Sequence, residues 1–121
     1  MDKFIELAIS IAELSTKYPQ VGCVITKKKK IISIGHNLTK SHPLQKRLTP
    51  LRFNDEYLDS CKCEQHAEFS AINKVKNKKI LEGCAIYIAR IDKEGNTKPA
   101  HPCPACYSLI TKYKIKKIIY T

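Results

Sequence analysis

Phe4, Leu7, Ala8, Ile11 and Leu14 recur at the three- and four-residue steps of a helix, with polar residues between them. Asp2 can cap the first turn and Pro19 closes the segment, so the pattern predicts an amphipathic helix running through Leu14. Val21 to Thr26 and Ile31 to Ile34 are then β-rich runs separated by Lys27, Lys28, Lys29 and Lys30, which reads as a hairpin with a charged tip. From Asn37 to Lys62 no period is sustained and Pro43 and Pro50 interrupt the chain, which predicts a long loop. Helical spacing returns from Glu64 to Val75 through Phe69, Ile72 and Val75. Cys84 to Ile91 is almost continuously apolar, as a strand covered on both faces would be. A turn-rich stretch from Asp92 to Lys98 leads to Cys103, Cys106, Leu109 and Ile110 at helical spacing, and Ile115 to Tyr120 reads as a last strand.

The predicted order is helix, strand, strand, helix, strand, helix, strand. Strands that alternate with helices pair in parallel through right-handed crossovers, so the second half is expected to be a β-α-β unit and the hairpin to complete a mixed α/β sheet. In such sheets ligands collect beyond the carboxyl ends of the strands, beside helix N-termini. With 121 residues and no linker or repeat, one domain over 1–121 is expected.

Composition narrows the function. No apolar run approaches the roughly 18 residues of a membrane span, and the start of the chain lacks the layout of a secretory signal. A cytoplasmic, reducing compartment is therefore expected, in which the six cysteines serve metal binding, catalysis or burial rather than disulfides. Lys and Arg outnumber Asp and Glu by 22 to 11, for a formal charge of +11. Such an excess favours phosphate-bearing substrates or nucleic acid, although solvated surface lysine accounts for it equally well.

The chemistry concentrates at two predicted helix starts, His66-Ala67-Glu68 and Pro102-Cys103-Pro104-Ala105-Cys106. One imidazole and two thiolates give zinc three protein ligands and leave its fourth position for water, which is the arrangement of a catalytic site. Cys103 and Cys106 are three apart and share a helix face. His66 and Glu68 are two apart and would diverge in mid-helix, so both can address one centre only if that helix starts at or just before His66. Zinc moves the pKa of a coordinated water from roughly 15.7 towards about 7, and a carboxylate beside it can accept and return the proton. The pairing H-x-E with a later P-C-x-x-C is a recognised signature of zinc nucleobase deaminases; either half alone would say little.

On these residues the chain resembles the cytidine and deoxycytidylate deaminase superfamily over nearly its whole length. The resemblance implies a three-layer α/β/α fold around a mixed sheet of four to five strands, with zinc on His66, Cys103 and Cys106 and Glu68 as the proton carrier. Gly35-His36-Asn37 looks like the family's Gly-x-Asn, which assigns Asn37 to the sugar and base. By the same resemblance the N–H groups at Ala67 and Glu68 bind the base carbonyl, and the carbonyls near His101 and Pro102 accept hydrogen bonds from the departing amine. The implied reaction is hydrolysis of a cytosine to uracil and ammonia, with a nucleoside or nucleotide as substrate. Relatives commonly continue past the strand that ends here at Thr121, and the stretch from His42 to Arg47 lacks the glycine-rich pattern of typical deoxycytidylate deaminases.

Other residues carry weaker signals. Cys61 and Cys63 lie near His66 but are expected to be free thiols rather than a second metal site; Cys23 and Cys84 read as small core residues. His42, Lys46, Arg47 and Arg52 are candidates for phosphate contacts, and Tyr107 and Tyr113 are expected to pack. An alternative substrate is a single-stranded or flipped base in a polynucleotide, cytosine or adenine, tracked by lysines 27 to 30 and 112, 114, 116 and 117. A zinc-stabilised binding module without activity is disfavoured by Glu68, which a structural site would not need. A sheet edge left open by the last strand, with the habit of the family, points to a homo-oligomer.

Overall fold

The computed structural model describes residues 2–15, 20–37 and 66–121. Helix α1 (Lys3–Ala12) has Asp2 as its N-cap, and the Phe4 N–H donates to the Asp2 carboxylate at 2.8 Å. The helix stops two residues before the predicted Leu14, which is 64% exposed. Ser15 explains the early end: its hydroxyl donates to Asn37 O (3.1 Å) while its own carbonyl accepts from Gln20 Nε2 (2.7 Å), drawing the chain off the helix path.

Strands β1 (Gln20–Lys27) and β2 (Lys30–His36) form the hairpin, with Lys27 opposite Lys30. The turn is tighter than the sequence suggested. Only Lys28 and Lys29 form it, both with positive φ (52° and 65°), in the mirror-image geometry that normally selects Asn-Gly. Each L residue held there costs roughly 1 kcal/mol.

Helix α2 (Ala67–Asn73) ends before the predicted Val75, because Asn77 caps a separate 3₁₀ turn (Lys78–Leu81) by accepting from the Lys79 N–H at 3.1 Å. That turn was absent from the sequence reading. Strand β3 (Ala85–Ile91) is followed by a two-residue strand β4 (Thr97–Lys98), also unforeseen within its turn-rich stretch. Helix α3 (Pro104–Lys112) then leads to β5 (Lys117–Tyr120), shorter at its start than expected since Ile115 turns into the core.

Among the described residues the sheet is five-stranded and mixed. β1 lies between β2 and β3, antiparallel to both, and β3 pairs in parallel with β5 and antiparallel with β4. The β3-α3-β5 unit is thus the expected parallel crossover. Alternation along β1 divides the core: Val24 faces α1 with Phe4, Ala8, Ile11 and Ala89, whereas Cys23 and Ile25 face α2 and α3 with Phe69, Ile72, Leu109 and Ile110. Two glycines set these distances. A Cβ on Gly22 would stand 2.1 Å from Ala8 O, and one on Gly35 would stand 2.6 Å from Ala71 N and 2.7 Å from Ala67 O, so each helix rests directly on strand backbone. The result is the expected three-layer α/β/α arrangement. No helix among the described residues is long and apolar enough to cross a membrane.

Candidate metal and active centre

His66 is the N-cap of α2, and its backbone is extended while its carbonyl accepts the first helical bond from Ser70 N at 2.9 Å. The helix therefore begins where the spacing of His66 and Glu68 required. The His66 side chain makes no capping bond; its imidazole turns towards the start of α3. There Cys103 is the N-cap, Pro104 fills the first helical position where a missing N–H costs nothing, and the Cys103 sulfur accepts from the Cys106 N–H at 3.5 Å.

Three donor atoms converge. His66 Nδ1 lies 3.6 Å from Cys103 Sγ and 3.5 Å from Cys106 Sγ, and the donor atoms of these three residues lie within 4.8 Å of one another. A tetrahedral zinc with Zn–S of about 2.3 Å and Zn–N of about 2.0–2.1 Å sets an N···S edge of about 3.5–3.6 Å. The observed separations match that edge, and the donor set of one borderline nitrogen and two soft sulfurs suits zinc better than magnesium or calcium. The Cys103 thiol is pulled down to about 3, first by hydrogen bonding with the Cys106 side chain and then by the adjacent His66, so it presents a thiolate.

Glu68 shares the first turn of α2 and is only 5% exposed. Burial pushes its carboxyl above the ordinary range, the charge of His66 opposes that shift, and the Cys103 thiolate adds to it. The carboxylate also accepts from its own N–H and bonds with Cys106. Beneath it in β1, the buried Cys23 thiol is raised well above its usual value by burial and then by the Glu68 charge, so the residue read as core filler also borders the acid.

The remaining expected site residues fall around this centre. Asn37 follows directly after β2, 7% exposed, with its side-chain oxygen accepting from Val21 N–H at 3.0 Å. Ala67 is buried at the first position of α2, and its N–H and that of Glu68 precede the first intrahelical bond. His101 is exposed; its ring stands edge-on to Tyr120 (5.2 Å, 79°) and its Nδ1 contacts Pro102 O at 2.9 Å. The Pro102 carbonyl thus already shares its lone pairs with His101.

What the sequence did not disclose is Thr121. Its backbone O accepts from Ala100 N (3.0 Å), its N–H donates to Ile88 O (3.1 Å), and its hydroxyl donates to Lys98 O (2.6 Å) while accepting from Arg90 N (3.2 Å). These bonds anchor the segment that leads into Cys103, and only the pairing of β5 with β3 brings them about.

Three expectations need correction or fall elsewhere. Tyr107, expected to pack, is 50% exposed, whereas Tyr113 does pack against the core. Lysines 27 to 30 and 112 to 117 lie at the end of the sheet away from His66 and Cys103, so among the described residues they form no track into the centre. His42, Lys46, Arg47, Arg52, Cys61 and Cys63 lie outside the described residues.

Comparison with known proteins agrees with this geometry. A search of curated protein sequences found no match. Among solved structures, the dCMP deaminase of cyanophage S-TIM5 in complex with dCMP and dUMP superimposes with a TM-score of 0.67 at 24% identity, covering 98% of this chain and 77% of that one. Guanine deaminase from Bacillus subtilis gives 0.59 at 22%, covering 100% and 64%. A diaminohydroxyphosphoribosylaminopyrimidine deaminase/reductase from Thermotoga maritima gives 0.61 at 23%, covering 98% of this chain and 28% of that one. At such identities the likeness is one of fold, the cytidine deaminase-like fold. The family model for the cytidine and deoxycytidylate deaminase zinc-binding region matches residues 1–121, a span that includes the His66, Cys103 and Cys106 group placed to hold a metal ion. By that match and that metal centre, the chain belongs to the zinc-dependent cytidine and deoxycytidylate deaminase family.

Proposed function

We propose that this protein hydrolyses the exocyclic amine of a cytosine carried by a nucleoside or nucleotide, with deoxycytidine monophosphate the first substrate to test. The observation that carries the reading is the meeting of His66 Nδ1, Cys103 Sγ and Cys106 Sγ at zinc-edge distances beside a buried Glu68 on the same helical turn. Zinc, held by these three, supplies the Lewis acidity that makes water nucleophilic at neutral pH.

The chain's own groups do the rest. Glu68 takes a proton from the attacking water as the oxygen bonds to C4, and delivers it to the ring nitrogen N3. The second water proton passes to the amino group, the C4–N bond breaks, and ammonia leaves with uracil as product. Its raised proton affinity suits Glu68 to hold that proton between the two transfers. In this reading the N–H groups at Ala67 and Glu68, in the first turn of α2, bind the base carbonyl, and Asn37 and the His101–Pro102 segment hold the sugar and the departing amine. Among the described residues β2 and β5 are edge strands, with Ile31, Ile34 and Tyr120 exposed on them, which supports a homo-oligomer.

The test is ammonia release from purified protein over a panel of nucleosides, nucleoside mono- and triphosphates, free bases and short oligonucleotides. Turnover of a cytosine nucleoside or nucleotide is expected. Turnover confined to guanine, to another amino-heterocycle or to oligonucleotides would replace this substrate assignment.

A further inference from the structure

Two groups of lysines, 27 to 30 and 112 to 117, collect at one end of the sheet. Lys27 opposes Lys30 at the hairpin tip, Thr26 opposes Ala85 at the start of β3, and Ala85 opposes Lys117 at the start of β5. The hairpin tip, the 3₁₀ turn that precedes β3 and the connection from α3 to β5 therefore share this end, and Lys27 Nζ ties two of them together by donating to Ile80 O at 3.2 Å. His66 and Cys103 sit at the opposite end, where β2 and β3 finish.

Between the 3₁₀ turn and the end of α3 lies a groove of about 450 Å³ lined by Lys78, Lys79, Glu82, Lys112, Tyr113 and Lys114. Four lysines and one carboxylate line it; Lys78 Nζ donates to Val75 O and Lys114 pairs with Glu82. The Lys114–Glu82 pair, at 3.6 Å, joins side chains that are 75% and 66% exposed, so water screens it and little of the positive field is cancelled. The backbone supplies a second observation. Among the described residues, the non-glycine residues with positive φ are Lys28 (52°), Lys29 (65°) and Lys114 (59°), and all three stand at this end. Glycine or asparagine is the usual occupant of a mirror-image hairpin turn and of the position after a helix. Ammonium groups are displayed here at positions where the chain would relax by giving them up, which is the pattern of strain kept for a function.

We infer that this end of the molecule binds the phosphate backbone of a nucleic acid, at a surface separate from the deaminase centre. The charge is spread over an extended face rather than gathered round one point, which matches a repeating anion. Its carriers are lysines, compact point charges that attract phosphate without the fixed fork by which arginine selects one geometry. Lys112 Nζ lies over the Tyr113 ring at 5.4 Å, so the one aromatic lining the groove is already faced by a cation and binding through charge rather than base stacking is expected.

The experiment is fluorescence anisotropy of a labelled single-stranded oligonucleotide against zinc-loaded protein over a range of salt, so an inactive deaminase would still answer. Each phosphate neutralised on a single strand contributes about 0.7 to the salt slope, so Lys78→Gln/Lys79→Gln/Lys112→Gln is expected to flatten it by about 2 and to weaken binding about tenfold or more. Arg90→Gln/Lys93→Gln/Lys98→Gln, an equal loss of charge near the metal end, is expected to change binding by less than about twofold. Lys28→Asn/Lys29→Gly/Lys114→Gly is expected to weaken binding while raising the melting temperature, which separates recognition from folding. Mononucleotide turnover should be the same in all groove variants. Equal losses from the two triple charge variants, an unchanged slope, or tighter binding of poly-glutamate than of the oligonucleotide at matched charge would overturn the assignment.

Discussion

Glu68 occupies a position that is costly for a carboxylate, 5% exposed and beside a thiolate, and burial raises its proton affinity against the opposing charge of His66. Glu68→Gln preserves shape and burial but cannot carry a proton. It is expected to keep zinc and fold while losing about 10²–10⁴-fold in kcat, as removal of a general acid-base group does, with zinc content and turnover measured on the same sample. Asp92 shows the opposite shift. The backbone N–H groups of Asn96 and Glu94 bond its carboxylate, each at 2.9 Å, and hold its pKa below the ordinary value. A lowered folded pKa means that the stabilisation is complete above the unfolded value of about 3.9 and is lost as pH falls through the folded one. Melting temperature measured from pH 6 downwards, in steps through about pH 4 to 2, should therefore fall more for the wild type than for Asp92→Asn.

At the scale of elements, Gly35 decides where helix α2 lies. Its missing side chain lets α2 rest on β2, and a Cβ there would meet Ala71 N at 2.6 Å and Ala67 O at 2.7 Å. Backbone cannot swing aside as a flexible side chain would, so Gly35→Ala is expected to cost about 1–3 kcal/mol of stability. It should also lower kcat well below the melting temperature, because α2 carries both Glu68 and the His66 cap, and an approximately 1 Å displacement can cost about 10²-fold. Normal turnover in a destabilised variant would show that the helix position is not critical. The hairpin tip is the converse case. With Lys28 and Lys29 at φ of 52° and 65°, Lys28→Asn/Lys29→Gly should stabilise the fold by about 1 kcal/mol, measured by chemical denaturation.

At the scale of the molecule, the metal joins two elements that otherwise touch little. His66 opens α2 and Cys103 and Cys106 open α3, on the same face of the sheet. An ion that binds the folded state alone stabilises it by mass action, about 4 kcal/mol at a thousandfold excess over Kd. Chelation is therefore expected to lower the melting temperature by several degrees and abolish turnover, with both restored by added zinc. The polarity of the molecule follows from the same geometry: strand ends, helix starts and the ligands gather at one end, while the strained lysines occupy the other.

The sequence by itself picked out the His66, Cys103 and Cys106 group, its neighbour Glu68 and the order of the main elements. Period and spacing are local, and a two-residue separation between His66 and Glu68 permits one metal centre only at a helix start. The almost continuous apolar run of β3 likewise marked a strand covered on both faces, and its residues do enter the core on both sides of the sheet. Element ends were less legible. α1 stops at Ala12 because Ser15 bonds Asn37, and α2 stops at Asn73 ahead of the turn capped by Asn77. The first of these contacts spans 22 residues and no local pattern encodes it. Only the tertiary structure decided that Thr121 braces the approach to Cys103, that Cys23 borders Glu68, and that the lysine runs lie away from the metal. Those facts depend on which strand pairs with which, and pairing is settled by long-range burial and register rather than by any window of neighbouring residues.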